Sequence, residues 1–143
     1  MGLPEIIIEF KTKGVTAIKR SARGIVAIVL KDDTEEGQAL NIYKSVLDVD
    51  PTHFTVRNYE YLKLVYEGSP SKTIVLKVAT SAENLDPQLK QLNDLKWNYL
   101  VIPGISEDEK TTVAAWIKEA RDDHHKTFKA VLPNCTADHE GII

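Results

Sequence analysis

Four predominantly apolar runs, separated by polar stretches, set the pattern of the chain. They span residues 24–30, 73–79, 99–102 and 127–132. Each run is short and rich in valine, isoleucine or leucine, which is typical of strands that are buried on both faces. Strands of this kind occur mainly in parallel sheets, and we expect the run at 73–79 to be the central one. A weaker segment at 40–44 predicts a short strand at the edge of the sheet.

The stretch that follows residue 102 predicts a well-defined helix. Pro103 and Gly104 end the preceding run, and Ser106 is followed three residues later by Glu109. A serine and a glutamate at this spacing form a capping box, in which each side chain accepts a hydrogen bond from a free backbone N–H at the start of the helix. Apolar residues then recur at helical spacing and predict one stripe packed on the sheet. The stripe consists of Val113, Trp116, Ile117 and Ala120.

Two further helices are predicted between the strands. One begins near Thr55 or Asn58 and ends at Gly68, and its buried stripe consists of Tyr59, Leu62, Val65 and Tyr66. The other begins at Asp86, which we expect to be the N-cap in front of Pro87. Its stripe consists of Leu85, Leu89, Leu92 and Leu95. The order β-β-α-β-α-β-α-β predicts an α/β fold, a largely parallel sheet with helices on its faces.

The first residues of the chain have a different pattern. Ile6, Ile8 and Phe10 lie on one face of an alternating stretch, whose other face carries two glutamates and an isoleucine. Alternation with β-branched residues indicates an extended strand, and basic residues without apolar periodicity follow it. We therefore predict an extended N-terminal arm and tether over residues 1–22 and an α/β domain over residues 23–143. An ordinary edge strand of the same domain is the alternative for the arm.

Composition and charge limit the classes of partner. The chain has 143 residues, with 18 lysines and arginines against 21 aspartates and glutamates. Its basic residues form no patch or stripe, so we expect no nucleic-acid partner. No run approaches the roughly 20 apolar residues that a membrane-spanning helix needs, so we expect no membrane insertion. The single cysteine, Cys135, permits no internal disulfide and fits a reducing compartment.

The carboxyl ends of the predicted strands are the places where an open parallel sheet binds ligands. No glycine-rich phosphate loop, of the type G-x-G-x-x-G or G-x-x-x-x-G-K-[ST], is present. Asp32 and Asp33 follow the first buried run, as the acidic pair of a phospho-receiver domain would. However, Thr80 and Ser81 follow the run at 73–79, where such a domain needs its phosphoacceptor aspartate. We interpret the two aspartates as part of a solvated loop.

Two other polar groups give no clear site. Cys135 lies near Asp138 and His139 in sequence, but a cysteine nucleophile needs a base that is oriented in space, and sequence neighbours rarely have that geometry. The acidic and histidine residues at 122–125 point in different directions at a helix end, so they predict no metal site. No cofactor is predicted.

One hypothesis of an enzymatic or binding function stays open. It is a small α/β enzyme or ligand-binding domain with a site at the strand ends, between Pro103 and Ser106 and between Pro133 and Cys135. Neither turn carries a recognisable catalytic set, so the pattern of residues alone does not define an activity.

Five separated stretches carry a resemblance to a known family, in the same order along the chain. They are G-L-P-E-I with F-K-T-K (residues 2–13), I-K-R-S with R-G-I-V-A (18–27), K-W-N-Y-L-V-I-P-G (96–104), T-F-K-A-V-L-P-N (127–134) and D-H-E-G-I-I (138–143). These stretches resemble the contractile tail sheath proteins of bacteriophages, prophages and phage-like bacteriocins, most of all those of prophages in Gram-positive bacteria.

The resemblance implies a structural subunit and not an enzyme. Sheath subunits polymerise as stacked rings or a helix around a tail tube protein and drive contraction, so the implied partners are other sheath subunits and the tube. The implied location is the bacterial host cytoplasm during assembly and afterwards the tail of the virion or phage-like particle. Neighbouring subunits exchange strands, which implies an inter-subunit role for the arm residues Leu3, Ile6, Ile8, Phe10, Lys11 and Lys13.

Two departures from the family accompany the resemblance. Larger sheath proteins carry an inserted outer β domain after the strand that corresponds to residues 73–79, whereas here only residues 80–85 join this strand to the next helix. The chain is therefore similar to a minimal sheath protein. Family members also continue well beyond the stretch at 138–143, so the resemblance is to an N-terminal portion, apparently truncated within the core domain.

Overall fold

The computed structural model describes residues 24–143, and its centre is a five-stranded sheet. The strands are β1 (Ile25–Lys31), β2 (Leu40–Tyr43), β3 (Lys72–Val78), β4 (Tyr99–Val101) and β5 (Lys129–Val131), in the order β2-β3-β1-β4-β5. β1 is parallel to β3 and β4, and β4 is parallel to β5, whereas β2 is antiparallel to β3. The predicted α/β fold is thus confirmed, with a mixed sheet, and the short edge strand lies where it was expected.

Within residues 24–143, three helices cover the faces of the sheet. α1 (Val56–Glu67) packs on one face, together with Val49 and Phe54, which directly follow two short 3-10 turns at Val46–Asp48 and Pro51–His53. α2 (Asp86–Asn93) and α3 (Glu107–Asp122) pack on the other face. The predicted arm of residues 1–22 lies outside the described residues.

β1 contributes buried side chains to both layers, as β3 also does. Side chains alternate between the faces of a strand, so Ala27 and Val29 contact the α2–α3 layer while Ile28 and Leu30 contact the α1 layer. All four side chains are buried, which explains why this run is continuously apolar. The expectation that the run at 73–79 is central is wrong, because β1 lies between β3 and β4. Strand order depends on where the crossover after α2 returns to the sheet, and the apolar pattern does not indicate this position.

Two of the three helices begin where the sequence predicts. The capping box of α3 is confirmed, since Ser106 Oγ accepts from Glu109 N at 3.3 Å and Glu109 Oε2 accepts from Ser106 N at 2.9 Å. Thr55 caps α1. The prediction that Asp86 is the N-cap of α2 is wrong: Asp86 is the first helical residue, and its N–H donates to Asn84 Oδ1 at 3.2 Å. The asparagine two residues earlier supplies the acceptor instead.

Three stacked aromatic rings fix the α2–α3 layer to the ends of β4 and β5. The ring centroids of Trp97 and Phe128 are 4.0 Å apart at an interplanar angle of 10°, and Trp116 lies 5.8 Å from Phe128. Trp97 is 1% exposed, and its indole N–H donates to the carbonyl of Leu92 at 2.9 Å. Trp116 is only half-buried, because it borders the groove between α2 and α3. The central aromatic is thus Trp97, which lies before β4 and outside the helical stripe.

Replacement of each tryptophan by alanine distinguishes the fully buried Trp97 from the half-buried Trp116. Trp97→Ala is expected to lower the free energy of unfolding by about 3–5 kcal/mol, the usual cost of deleting a fully buried large aromatic. Trp116→Ala is expected to cost less, about 1–3 kcal/mol, because part of its ring already contacts water. Urea unfolding of the two variants measures the difference. An equal or larger loss for Trp116→Ala would contradict the assigned centre of the stack.

Candidate functional site

The loops after β1 and β4 lie at the topological switch point of the sheet. From β1 the chain crosses to β3 on one side, and β4 pairs with β1 on the other, which is the arrangement that creates a ligand crevice in open α/β sheets. Here Lys31 Nζ donates to Glu109 Oε2 at 2.9 Å and lies 3.4 Å from the carbonyl oxygen of Gly104. An ion pair between the end of β1 and the first turn of α3 thus spans the crevice.

Glu109 is held in its charged form at this place. Burial raises the pKa of its carboxyl, but the backbone N–H of Ser106 and the ammonium of Lys31 outweigh burial and keep the pKa below its usual range. A general acid needs the opposite shift. Because the same carboxylate completes the capping box, its geometry is that of a structural anchor.

Asp32 is buried, so its interpretation as part of a solvated loop is wrong. It is 4% exposed and accepts three hydrogen bonds of 2.8 Å, from Thr34 N, Thr55 N and Asn58 Nδ2. Burial alone would raise the pKa of this carboxyl, but the hydrogen bonds from Asn58, Thr34 and Thr55 outweigh it and lower the pKa to about 2. Asp32 therefore ties the end of β1 to the start of α1.

Asp33 serves a different loop. It is exposed, and its carboxylate accepts hydrogen bonds from the backbone N–H and the hydroxyl of Thr80, which lower its pKa. The two neighbouring aspartates thus bind opposite loops and do not converge. Within residues 24–143, no cluster of three or more His, Cys, Asp or Glu side chains has a geometry that would hold a metal ion.

Lys77 organises the polar loop that follows Asp32, a role that the sequence pattern did not reveal. Its ammonium donates to the carbonyls of Thr34, Glu36 and His53 at 2.8, 2.8 and 2.7 Å. It also lies 5.3 Å from the centre of the Phe54 ring. A lysine in a buried strand would be costly without partners, and three carbonyls satisfy all three of its donors.

The second candidate strand end, between Pro133 and Cys135, borders a cavity of about 380 Å³. The cavity lies beside α3, and Cys135 and Lys110 are among the residues that line it. Lys110 is 6% exposed, and its ammonium donates to the carbonyl of Pro133 at 2.9 Å and pairs with Glu107 at 2.5 Å. The buried cation therefore holds the turn to α3, and two of its three donors are engaged.

The histidines and acidic residues that surround these strand ends are also engaged elsewhere. His139, the potential base for Cys135, contacts Asp122 Oδ1 at 3.3 Å and accepts from the backbone N–H of Gly141 at 3.0 Å. His124 lies 3.8 Å from Glu119. Cys135 thus lines the same cavity as Lys110, and the imidazole of His139 is bound to other groups. None of the described helices is both long and apolar enough to cross a membrane.

The buried carboxylate of Asp32 predicts a pH-dependent stability. Its pKa is lowered to about 2 in the folded protein, so its contribution is fully present above the unfolded pKa of about 4 and is lost as the pH falls through about 2. Asp32→Asn is expected to lower the free energy of unfolding by about 2 kcal/mol at pH 7, with a difference that shrinks below pH 4. Urea unfolding between pH 7 and pH 2 measures this, with the exposed Asp94→Asn as control. A difference that is independent of pH would contradict the assignment.

Comparison with known proteins shows which protein this chain is similar to. No family model matches it. A tail sheath protein of Clostridium phage phiCD119 is 36% identical over 152 aligned residues, which cover 99% of this chain and 41% of that relative. The chain thus spans about two fifths of the length of the relative. The resemblance indicated by the sequence is confirmed: the chain is a homologue of a phage tail sheath protein and corresponds to an N-terminal portion of one.

Proposed function

We propose that this chain is part of a structural subunit of a contractile tail sheath. The observation that carries the proposal is the 36% identity to a tail sheath protein along 99% of the chain. The strand ends support this proposal, because the polar side chains there form hydrogen bonds with the backbone or with each other. Lys31 pairs with Glu109, Lys110 donates to the carbonyl of Pro133, and Asp32 accepts from Thr55 N at the start of α1.

The proposed organisation is an arm of residues 1–22 followed by a sheath core domain of residues 23–143. Support for this boundary comes from the first described residues, which already belong to the sheet. The carbonyl of Gly24 accepts from Ser71 N at 2.9 Å, and Ile25 N donates to Asn98 Oδ1 at 2.8 Å. These bonds fasten the amino end of β1 to the neighbouring segments, and the residues before it are proposed to reach a neighbour.

The proposed mode of assembly is strand exchange between subunits. An extended segment offers its backbone N–H and C=O groups to the edge of another sheet, and its alternating side chains set the register. The arm residues proposed for this contact are Leu3, Ile6, Ile8, Phe10, Lys11 and Lys13. A contact between different surfaces of identical subunits propagates into rings or helical polymers, as a sheath requires.

The proposed setting is a tail that assembles in the cytoplasm of a bacterial host and ends in a virion or phage-like particle. There the subunits would surround a tail tube protein and shorten the sheath during contraction. Neither a cofactor nor a nucleic acid is needed for this work. The formal charge is −3, and the basic residues form no stripe in the sequence. Both features favour a protein partner over a nucleic acid.

The alternative function is a small α/β enzyme or ligand-binding domain that uses the strand ends near Pro103–Ser106 and Pro133–Cys135. The cavity beside Cys135 and Lys110 is the observation in its favour. Against it stand the hydrogen bonds of Lys110 to Pro133 and of Glu109 to Lys31, which leave no oriented acid–base pair at either turn. We therefore place the sheath function first.

A proline in the arm tests the proposed strand exchange. Ile8→Pro is expected to prevent the assembly of sheaths, because proline removes a backbone donor from the strand ladder. The residue lies outside the domain that starts at residue 23, so the subunit should still fold. Electron microscopy of particles made by the native-length protein measures assembly, and circular dichroism checks folding. Ile8→Val, which keeps both the donor and the apolar side chain, is the matched control.

Two results would contradict the proposal. Sheaths of normal length from Ile8→Pro would show that no strand ladder forms at this residue, and an edge strand within the subunit would become the better interpretation. Loss of assembly in Ile8→Val as well would show that the side chain and not the backbone donor matters.

A further inference from the structure

The cavity of about 380 Å³ lies between α3 and the turn that follows β5. Residues of α3 form one wall, and residues 134–137 form the other. Three charged residues line it, and they are Lys110, Lys118 and Glu107. Because two lysines stand against one glutamate, the lining has a surplus of positive charge, which favours a ligand of negative charge.

Lys110 has one donor more than its protein acceptors use. Only 7% of its side chain is exposed. The ammonium donates to the carbonyl of Pro133 at 2.9 Å and pairs with Glu107. A lysine ammonium has three N–H donors, and residues 24–143 provide no third acceptor within hydrogen-bond distance. A buried donor that lacks an acceptor is unfavourable, because it has lost its hydration without a replacement.

The other wall of the cavity provides further donors. Residues 134–137 form no helix or strand, and within the described residues no backbone carbonyl accepts from their N–H groups. Asn134 and Thr136, whose side chains carry an amide and a hydroxyl, line the cavity as well. Lys118 lies two helical turns after Lys110 on α3 and borders the same space. Both walls therefore supply donors to one cavity.

We propose that this cavity binds a small oxyanion, a phosphate or a carboxylate, with Lys110 and Lys118 as its cationic donors and the turn at residues 134–137 as its second wall. An oxyanion fits this lining because its oxygen atoms accept several charge-assisted hydrogen bonds at once. Its charge also balances the surplus cation. A cationic or purely apolar ligand would leave the third donor of Lys110 without an acceptor.

The inference assigns a ligand and not a reaction to this strand end. An oxyanion site needs no oriented acid–base pair, so the engaged carboxylate of Glu107 and the distant contacts of His139 do not oppose it. Neither the arm nor polymerisation takes part in the site. The inference therefore goes beyond the proposed sheath function, and its failure would leave that function unaffected.

Titration of the full chain with inorganic phosphate, followed by NMR spectroscopy, tests the site. The backbone amide resonances of Cys135 and Thr136 are expected to shift in a saturable manner, with a Kd of about 1–10 mM. Sodium chloride keeps the ionic strength constant, because screening alone changes the field of exposed charges. A second titration with acetate distinguishes the two ligand classes: tighter binding of phosphate or of acetate identifies which oxyanion the site prefers.

Lys118→Gln tests the role of the second cation. Its Kd for the preferred anion should rise at least about 5-fold, because an amide replaces a charged donor. Lys118 is partly exposed and has no ion pair within the described residues, so this variant should fold. Lys90→Gln, at an exposed lysine that borders the separate groove between α2 and α3, is the matched control and should bind like the wild type. Lys110→Met should abolish binding.

Cys135 gives an independent measurement of occupancy. It is the single cysteine of the chain, and it lines the cavity. A saturating concentration of the preferred anion should slow the alkylation of its thiol by iodoacetamide at least about threefold, because the reactivity of a cysteine depends on access to its sulfur. At the same anion concentration the slowing should be smaller in Lys118→Gln.

Three results would overturn the inference. Shifts that rise linearly with both anions at constant ionic strength would show that no site exists. Equal affinities of Lys118→Gln and the wild type, or an equal loss in Lys90→Gln, would show that the anion responds to the general surface charge. Unchanged alkylation of Cys135 in the presence of a saturating anion would place the bound anion outside this cavity.

Discussion

The simultaneous pairing of β1 with β3 and β4 is the interaction on which the rest of the structure depends. All seven residues of β1 pair with β3, and three of them also pair with β4. Because β1 is buried on both faces, it is the contact surface for α1 on one side and for α2 and α3 on the other. Its carboxyl end then supplies Lys31 and Asp32, which fasten the first turns of α3 and α1. Loss of this strand would remove the central pairing of the sheet.

Local features of the fold were readable from the sequence because their causes are local. The apolar runs marked the buried strands, and the spacing of Ser106 and Glu109 marked the start of α3. The order of the strands was not readable, since it depends on how far each crossover travels. The burial of Asp32 was missed for a similar reason: its amide partner, Asn58, lies 26 residues away. No periodicity reports a hydrogen bond between distant segments.

The polar residues at the carboxyl edge of the sheet mainly bind the backbone of neighbouring segments. Lys77 and Lys110 each bind backbone carbonyls, and Asp32 binds backbone N–H groups. Such contacts connect loops to the sheet. The D-H-E-G-I-I stretch, singled out in the sequence only by resemblance, has a physical role at the outer edge of β5, because Gly141 packs against Arg121 and Glu140 accepts from it. A contact of this kind between residues about 20 positions apart is invisible to a sequence pattern.

The central proposal is that this chain is part of a subunit that polymerises around a tube, and a cryo-electron microscopy reconstruction of the assembled particle tests it most directly. The account predicts a repeating subunit that contains the five-stranded sheet of residues 24–143, arranged around a central tube, with residues 3–10 paired to the sheet of a neighbouring subunit. A reconstruction in which this fold is absent from the sheath layer, or in which residues 3–10 pair with the sheet of their own subunit, would contradict it.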